Sequence, residues 1–266
     1  MNLQTQVNKF VEELELKNYA KQTIKGYKCA LTLFILCFKE RQTPKHISQE
    51  EIKDYLRQSK SQAILKTNIG AIKCFYKYVV HQPMKFSYIE YPRKEKRLPR
   101  IFEVNEVREK ILAIPNCKHK AILAIGLCCA LRVSEACNLK VTDILRGRNL
   151  IAIRQSKGKK DRHTGISDSC LKIIDDYIMK FNPPDYLFEG QYGGRYSERS
   201  CEEIYHKYID KETAYHTLRH IAITNMVDND KNILAIGIAV GHTRPSTTAA
   251  YYHISSKFLT SLPTAI

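Results

Sequence analysis

The sequence predicts a mainly helical chain with one small antiparallel β-sheet, divided into two domains. Apolar residues recur at helical spacing over most of its length. Short strand-like segments cluster around a basic turn between residues 141 and 166. A proline-bounded run of charge separates an all-helical first part from this mixed remainder.

The first domain covers residues 1–90. Val7, Phe10, Val11 and Leu14 form the stripe of an amphipathic helix over 5–16. A second helix opens near Thr23, carries Ile24, Tyr27, Leu31, Phe34, Ile35 and Phe38, and ends before Pro44. Ser48 and Glu51 have capping-box spacing for a third, with Ile52, Tyr55 and Leu56 inward. A fourth runs over 61–80, with Ile64, Leu65, Ile69, Ile72, Phe75, Tyr76 and Val79 facing the core. Residues 91–100 then hold two prolines and five basic residues against one acid, the composition of an extended linker.

Residues 101–266 form the second domain. Helices are expected near 103–113, 118–131, 168–180, 197–210, 216–227, 231–239 and 246–253. Strands are expected at 141–144, 150–154 and 162–166, the last two joined by the turn Ser156–Lys160. The tail, 254–266, carries Ile254, Phe258, Leu259 and Leu262 at helical spacing.

The chain has 43 Lys+Arg against 27 Asp+Glu, a formal charge of +16. Residues 1–90 carry 15 basic and 8 acidic side chains and the rest 28 and 19, so both domains are basic. That suits a polyanion gripped from two sides. Arg93, Lys94, Lys96 and Arg97, between the domains, are candidate phosphate contacts. Nine cysteines, an odd number with no pair at the Cys-x-x-Cys spacing of a zinc site or redox centre, indicate a reducing interior. No apolar run reaches ~18 residues, so no membrane span is expected and the protein is placed in the cytoplasm.

Five segments carry the candidate chemistry. Arg132 stands in an apolar region with Glu135 three residues on to brace it. Lys157 occupies the basic turn. In His216-Thr217-Leu218-Arg219-His220, a spacing of three puts His216 and Arg219 on one helix face, within reach of one small anion. Gly241 should stop a helix and present His242 at its end. Thr247 and Thr248 precede Tyr251 and Tyr252, with Tyr251 ten residues past Gly241. Each segment is weak alone.

In this order the five segments resemble the tyrosine recombinases, or phage-type integrases, over nearly the whole chain. The resemblance implies a SAM-like core-binding domain followed by a recombinase catalytic domain. It assigns Arg132 and Arg219 to the scissile phosphate and Tyr251 to nucleophilic attack, leaving a 3′-phosphotyrosyl link. Lys157 would protonate the leaving 5′ oxygen, His216 would help move the tyrosine proton, and His242 would hydrogen-bond the phosphate, with Glu135 and His220 supporting. Neither metal nor cofactor is implied, and the sequence has no Gly-rich phosphate loop or carboxylate cluster. The implied partner is a specific double-stranded DNA site. The free chain would be a monomer or weak dimer, with four protomers acting on two sites through a four-way junction.

Three positions depart from the family pattern: Tyr252 directly after the expected nucleophile, Arg244-Pro245 after Gly-His, and His163-Thr164-Gly165-Ile166 after the basic turn. Lys159 and Lys160 are alternatives to Lys157 as the acid. The segment Tyr186–Gln191 with Gly193-Gly194 and Tyr196-Ser197 resembles simple integrases of Bacteroidota mobile elements, whereas the minimal plan also resembles Xer resolvases. A type IB topoisomerase and a non-catalytic DNA-binding protein are the rival readings. The tail docks either on a neighbouring protomer or on its own domain.

Overall fold

The structure, a computed structural model, describes residues 3–41, 43–82, 89–93, 100, 102–154, 161–229, 232–242 and 244–253. The chain divides into two compact units, Met1–Arg97 and Leu98–Ile266. Among the described residues no helix is long and apolar enough to cross a membrane.

The first unit is built from α1 (Leu3–Leu16), α2 (Lys21–Cys37), α3 (Gln49–Arg57) and α4 (Gln62–Tyr78). Phe10 and Leu14 of α1 meet Leu31 and Phe34 of α2, Ile52 of α3 and Phe75 of α4 in one apolar core. The ring of Phe10 stands edge-on to Phe75 at 6.0 Å, a favoured aromatic geometry. The Ser48 hydroxyl accepts the Glu51 N–H at 3.2 Å and the Glu51 carboxylate accepts the Ser48 N–H at 2.8 Å, so the capping box closes. Ile64, expected to face inward, is 45% exposed. It lies in the first turn of α4, before the apolar stripe that begins at Leu65 reaches the core.

The second unit holds α5 (Val104–Leu112), α6 (Cys117–Cys128), α7 (Val133–Asn138), β1 (Ile144–Leu145), β2 (Leu150–Ile153) and β3 (Arg162–Gly165). It continues with α8 (Asp168–Phe181), α9 (Glu198–Tyr208), α10 (His216–Asp228), α11 (Ile233–Val240) and α12 (Pro245–Ala249). A 3-10 turn over Ala250–His253 completes the described elements. The strands form one antiparallel sheet in the order β1-β2-β3, with Ile151 opposite both Ile144 and Thr164. Helix α6 is the centre of this unit, every residue from Ala121 to Gly126 being buried. The Tyr215 hydroxyl, donating to the Ile122 carbonyl at 2.8 Å, lies where a side chain on Gly126 would be. This close approach fixes the start of α10, and with it His216.

Three expected elements differ. The strand over 141–144 is instead a 3-10 turn, Val141–Asp143, followed by a two-residue β1. The Asp143 carboxylate accepts the Lys140 N–H at 3.0 Å and Arg154 Nε at 2.7 Å, folding the segment back on itself. Helix α6 stops at Cys128 rather than 131, because Ala130 is left-handed, φ 52°. The helix over 246–253 tightens into 3-10 geometry at Ala250, so Tyr251 sits on a 3-10 turn.

Candidate active site

Five separate segments of the second unit converge, and backbone carbonyls hold the first arginine. Arg219, one turn into α10, is 1% exposed. Its Nη1 donates to the Ala130 carbonyl at 2.6 Å and its Nη2 to the Val240 carbonyl at 2.5 Å. The left-handed backbone at Ala130 costs ~1 kcal/mol, and it aims that carbonyl at the guanidinium. Burial, with the charge of Arg132 nearby, pushes Arg219 down to about 10, still cationic at neutral pH.

Arg132, just past the expected helix over 118–131, stands at the N-cap of a separate helix, α7. Its Nη1 donates to Glu135 Oε1 at 2.6 Å, its backbone N–H to Oε2 at 2.9 Å, and its Nη2 to the Gly241 carbonyl at 3.2 Å. Arg162 of β3 grips the same carboxylate with both terminal nitrogens, at 2.8 Å each, and its Nε donates to the Ala239 carbonyl at 3.0 Å. Burial opposes ionisation of Glu135, yet the bonds from Arg162 and the Arg132 N–H hold its carboxyl down at about 2. Two guanidiniums therefore share one buried carboxylate.

Arg162 was not singled out by sequence reasoning. In β3 it shares the inward face with Thr164, and Ile166 two residues further on is buried as well. Thr248 was named only as part of the segment before Tyr251 and given no role. It is buried, and its hydroxyl lies 2.9 Å from His242 Nδ1, fixing the orientation of that ring.

Gly241 ends α11 with φ 68°, its N–H and that of His242 donating to Ile238 and Gly237 carbonyls at 3.1 and 2.9 Å. A Cβ there would also lie 3.1 to 3.2 Å from the Arg162 side chain. Gly241→Ala is therefore expected to lower unfolding free energy by about 1–2 kcal/mol, read as a shift of the urea midpoint.

Tyr251 is 6% exposed. Its hydroxyl lies 2.6 Å from His220 Nδ1, and its ring stacks at 17° on His242, 6.2 Å between centroids. His216 meets His220 edge-on at 4.6 Å. Of the two α10 histidines, His220 is thus the one bonded to the phenol. Although solvent reaches His216 and His220, the protein packed round them disfavours added charge. Desolvation, with His220, Arg219 and Arg132 adding repulsion, lowers His216 to about 4. Desolvation and the charges of Arg219 and Arg132 lower His242 to about 4. Desolvation and Arg219 also lower His220. Burial raises the Tyr251 phenol, against the pull of Arg219 and Arg132. A cluster of neutral imidazoles and fixed cations around a protonated phenol is suited to an incoming anion.

Lys157 lies outside the described residues, as do Lys159, Lys160, the linker residues Lys94, Lys96 and Arg97, and the tail 254–266. Arg93 is described and exposed.

The chain belongs to the phage integrase family, the tyrosine recombinases. The model of that family matches residues 97–257, and the model of the phage integrase N-terminal SAM-like domain matches residues 7–85. Tyrosine recombinase XerA of Pyrococcus horikoshii is 30% identical over 262 residues, covering 95% of this chain and 90% of the relative. The crystal structure of a XerA recombinase superposes with a TM-score of 0.55 at 25% identity, covering 97% of this chain and 96% of that one. XerH recombinase, crystallised on its difH substrate before cleavage, shares the fold at a TM-score of 0.71 and 21% identity, covering 90% and 79%.

Proposed function

We propose that this recombinase cuts duplex DNA by attack of the Tyr251 oxygen on a backbone phosphate held by Arg132, Arg219 and His242. The observation that carries this reading is the buried Tyr251 hydroxyl, bonded to a neutral His220 beside two anchored guanidiniums. As the P–O(Tyr) bond forms, the P–O5′ bond breaks. The phenolic proton passes to His220, with His216 beside it, and the 5′ oxygen takes its proton from Lys157. The phosphodiester energy is kept in the tyrosyl ester, so rejoining needs no nucleotide. The basic charge of both units supports double-stranded DNA as the partner, with Arg93, Lys94, Lys96 and Arg97 on its phosphates.

Strand exchange between two duplexes calls for four protomers, and the apolar stripe of the tail supports docking on a neighbour. The resemblance around Tyr186–Ser197 supports integration or excision of a mobile element, and the likeness to XerA supports dimer resolution as the second reading. DNA flanking the gene separates the two. Paired sites bounding a mobile segment favour the first, and a single replicon site the second.

A duplex nicked beside the cleavage position tests the chemistry, because loss of the short fragment that carries the freed 5′ hydroxyl makes cleavage irreversible. The expected product is a covalent adduct, formed in excess chelator, whose DNA-bearing peptide contains Tyr251. No adduct on any site that the protein binds specifically would leave a non-catalytic DNA-binding protein.

A bound phosphate adds negative charge beside His242 and should raise its pKa from about 4 toward the ordinary value. The complex then holds more protons than the free protein at acid pH. Affinity should rise as pH falls from ~6.5 toward 4, and His242→Asn should flatten that rise in binding titrations. A wild-type profile as flat as the variant's would remove His242 from the phosphate.

A further inference from the structure

Next to the segment that anchors Arg219, three thiols converge. Cys128 and Cys129 end α6, Cys170 stands in the first turn of α8, and the three sulfurs all lie within 4.8 Å of one another. Cys129 and Cys170 are buried, whereas Cys128 is half-buried and lines a cavity of ≈ 750 Å³ among α5, α6, α8 and α10. The Ser167 hydroxyl is 3.2 Å from Cys128 Sγ and also opens onto this cavity. The cleavage proposed above uses none of these groups.

Packing alone accounts for one such residue, since free cysteine behaves as a small hydrophobe. It does not call for three sulfurs at one point with a route to solvent. Metal–sulfur bonds near 2.3 Å put thiolates about 4 Å apart around one ion, a spacing that side-chain rotation can reach from here.

The geometry points to a binding site for one soft, thiolate-seeking metal ion, such as zinc(II) or cadmium(II), on Cys128, Cys129 and Cys170, with its fourth position toward Ser167 and the cavity. Each ligating thiol gives up its proton to solvent as its metal–sulfur bond forms. The ion would lie beside Ala130, the residue whose carbonyl receives Arg219.

The test is titration of the reduced full-length protein with cadmium(II) alone, following the ultraviolet thiolate-to-cadmium charge-transfer band. Saturation at one equivalent is expected, with the band lost in Cys128→Ser and in Cys170→Ala. Cys137→Ala should keep it, since Cys137 belongs to a separate buried pair with Cys201, 3.6 Å between sulfurs. Bound cadmium should also shield Cys128 from iodoacetamide while the exposed Cys29 and Cys37 still react. Should Cys170→Ala unfold, the half-buried Cys128→Ser decides. An unchanged band in that variant, or no saturable band in the wild type, overturns the site.

Discussion

Tyr251→Phe is expected to bind its DNA site as the wild type does and to form no covalent adduct, a rate loss on the order of 10⁴-fold or more. Phenylalanine keeps the ring that stacks on His242 and fills the same buried space. Only the oxygen bonded to His220 is lost. A single uncharged hydrogen bond contributes ~1 kcal/mol to stability, so the fold should survive. Tyr252→Phe should leave cleavage largely intact. The turn over Ala250–His253 has 3-10 geometry, in which successive positions are about 120° apart. Trapping of DNA by Tyr251→Phe, with none by Tyr252→Phe, would move the nucleophile by one residue. Activity in both single variants, lost only in the double, would mean that either phenol can reach the phosphate.

The parts of this site that depend on local rules were legible in the sequence. A Gly after an apolar helix gave the end of α11 and the place of His242, and the His-x-x-Arg spacing gave the first turn of α10. What was not legible depends on contacts distant along the chain. Alanine has no local preference for a left-handed turn. Ala130 adopts one where a guanidinium 89 residues away binds its carbonyl, so the break ahead of Arg132 left no mark. Arg162 was concealed for a related reason. Its neighbours Asp161 and His163 are exposed, and a basic residue after a basic turn reads as solvated surface until the inward face of β3 is known. His220 was legible as part of its motif, but that its ring would take the phenol depended on where the 3-10 turn over Ala250–His253 set Tyr251.

Glu135 is where stability and positioning meet, and Glu135→Gln should cost about 3–5 kcal/mol. The carboxylate and its partner Arg162 are almost wholly buried, with side chains 5% and 8% exposed, and Arg132 binds the same two oxygens. The amide nearly preserves shape, but it leaves two guanidiniums facing each other without their shared anion and turns an N–H₂ toward donors. Arg162→Met should cost less, because Glu135 keeps Arg132. In the double variant much of the single penalties should be shared, giving a coupling energy of about 1–3 kcal/mol; strict additivity would show that the pair does not act as a unit. The pH dependence has a defined sign. With its pKa lowered from 4.5 to about 2, Glu135 contributes stability that is complete above ~4.5 and lost as pH falls through about 2. The gap between wild type and Glu135→Gln in denaturant should therefore stay level from neutral pH down to ~5 and then narrow. Cleavage carries the second readout. If Glu135 acts by placing Arg132 against the phosphate, Glu135→Gln should lower the single-turnover cleavage rate of bound DNA at temperatures where the variant is fully folded. Glu135→Asp should recover part of that rate. A variant that is destabilised yet cleaves bound DNA at the wild-type rate would reduce Glu135 to a stabilising group and leave Arg132 held by the Gly241 carbonyl.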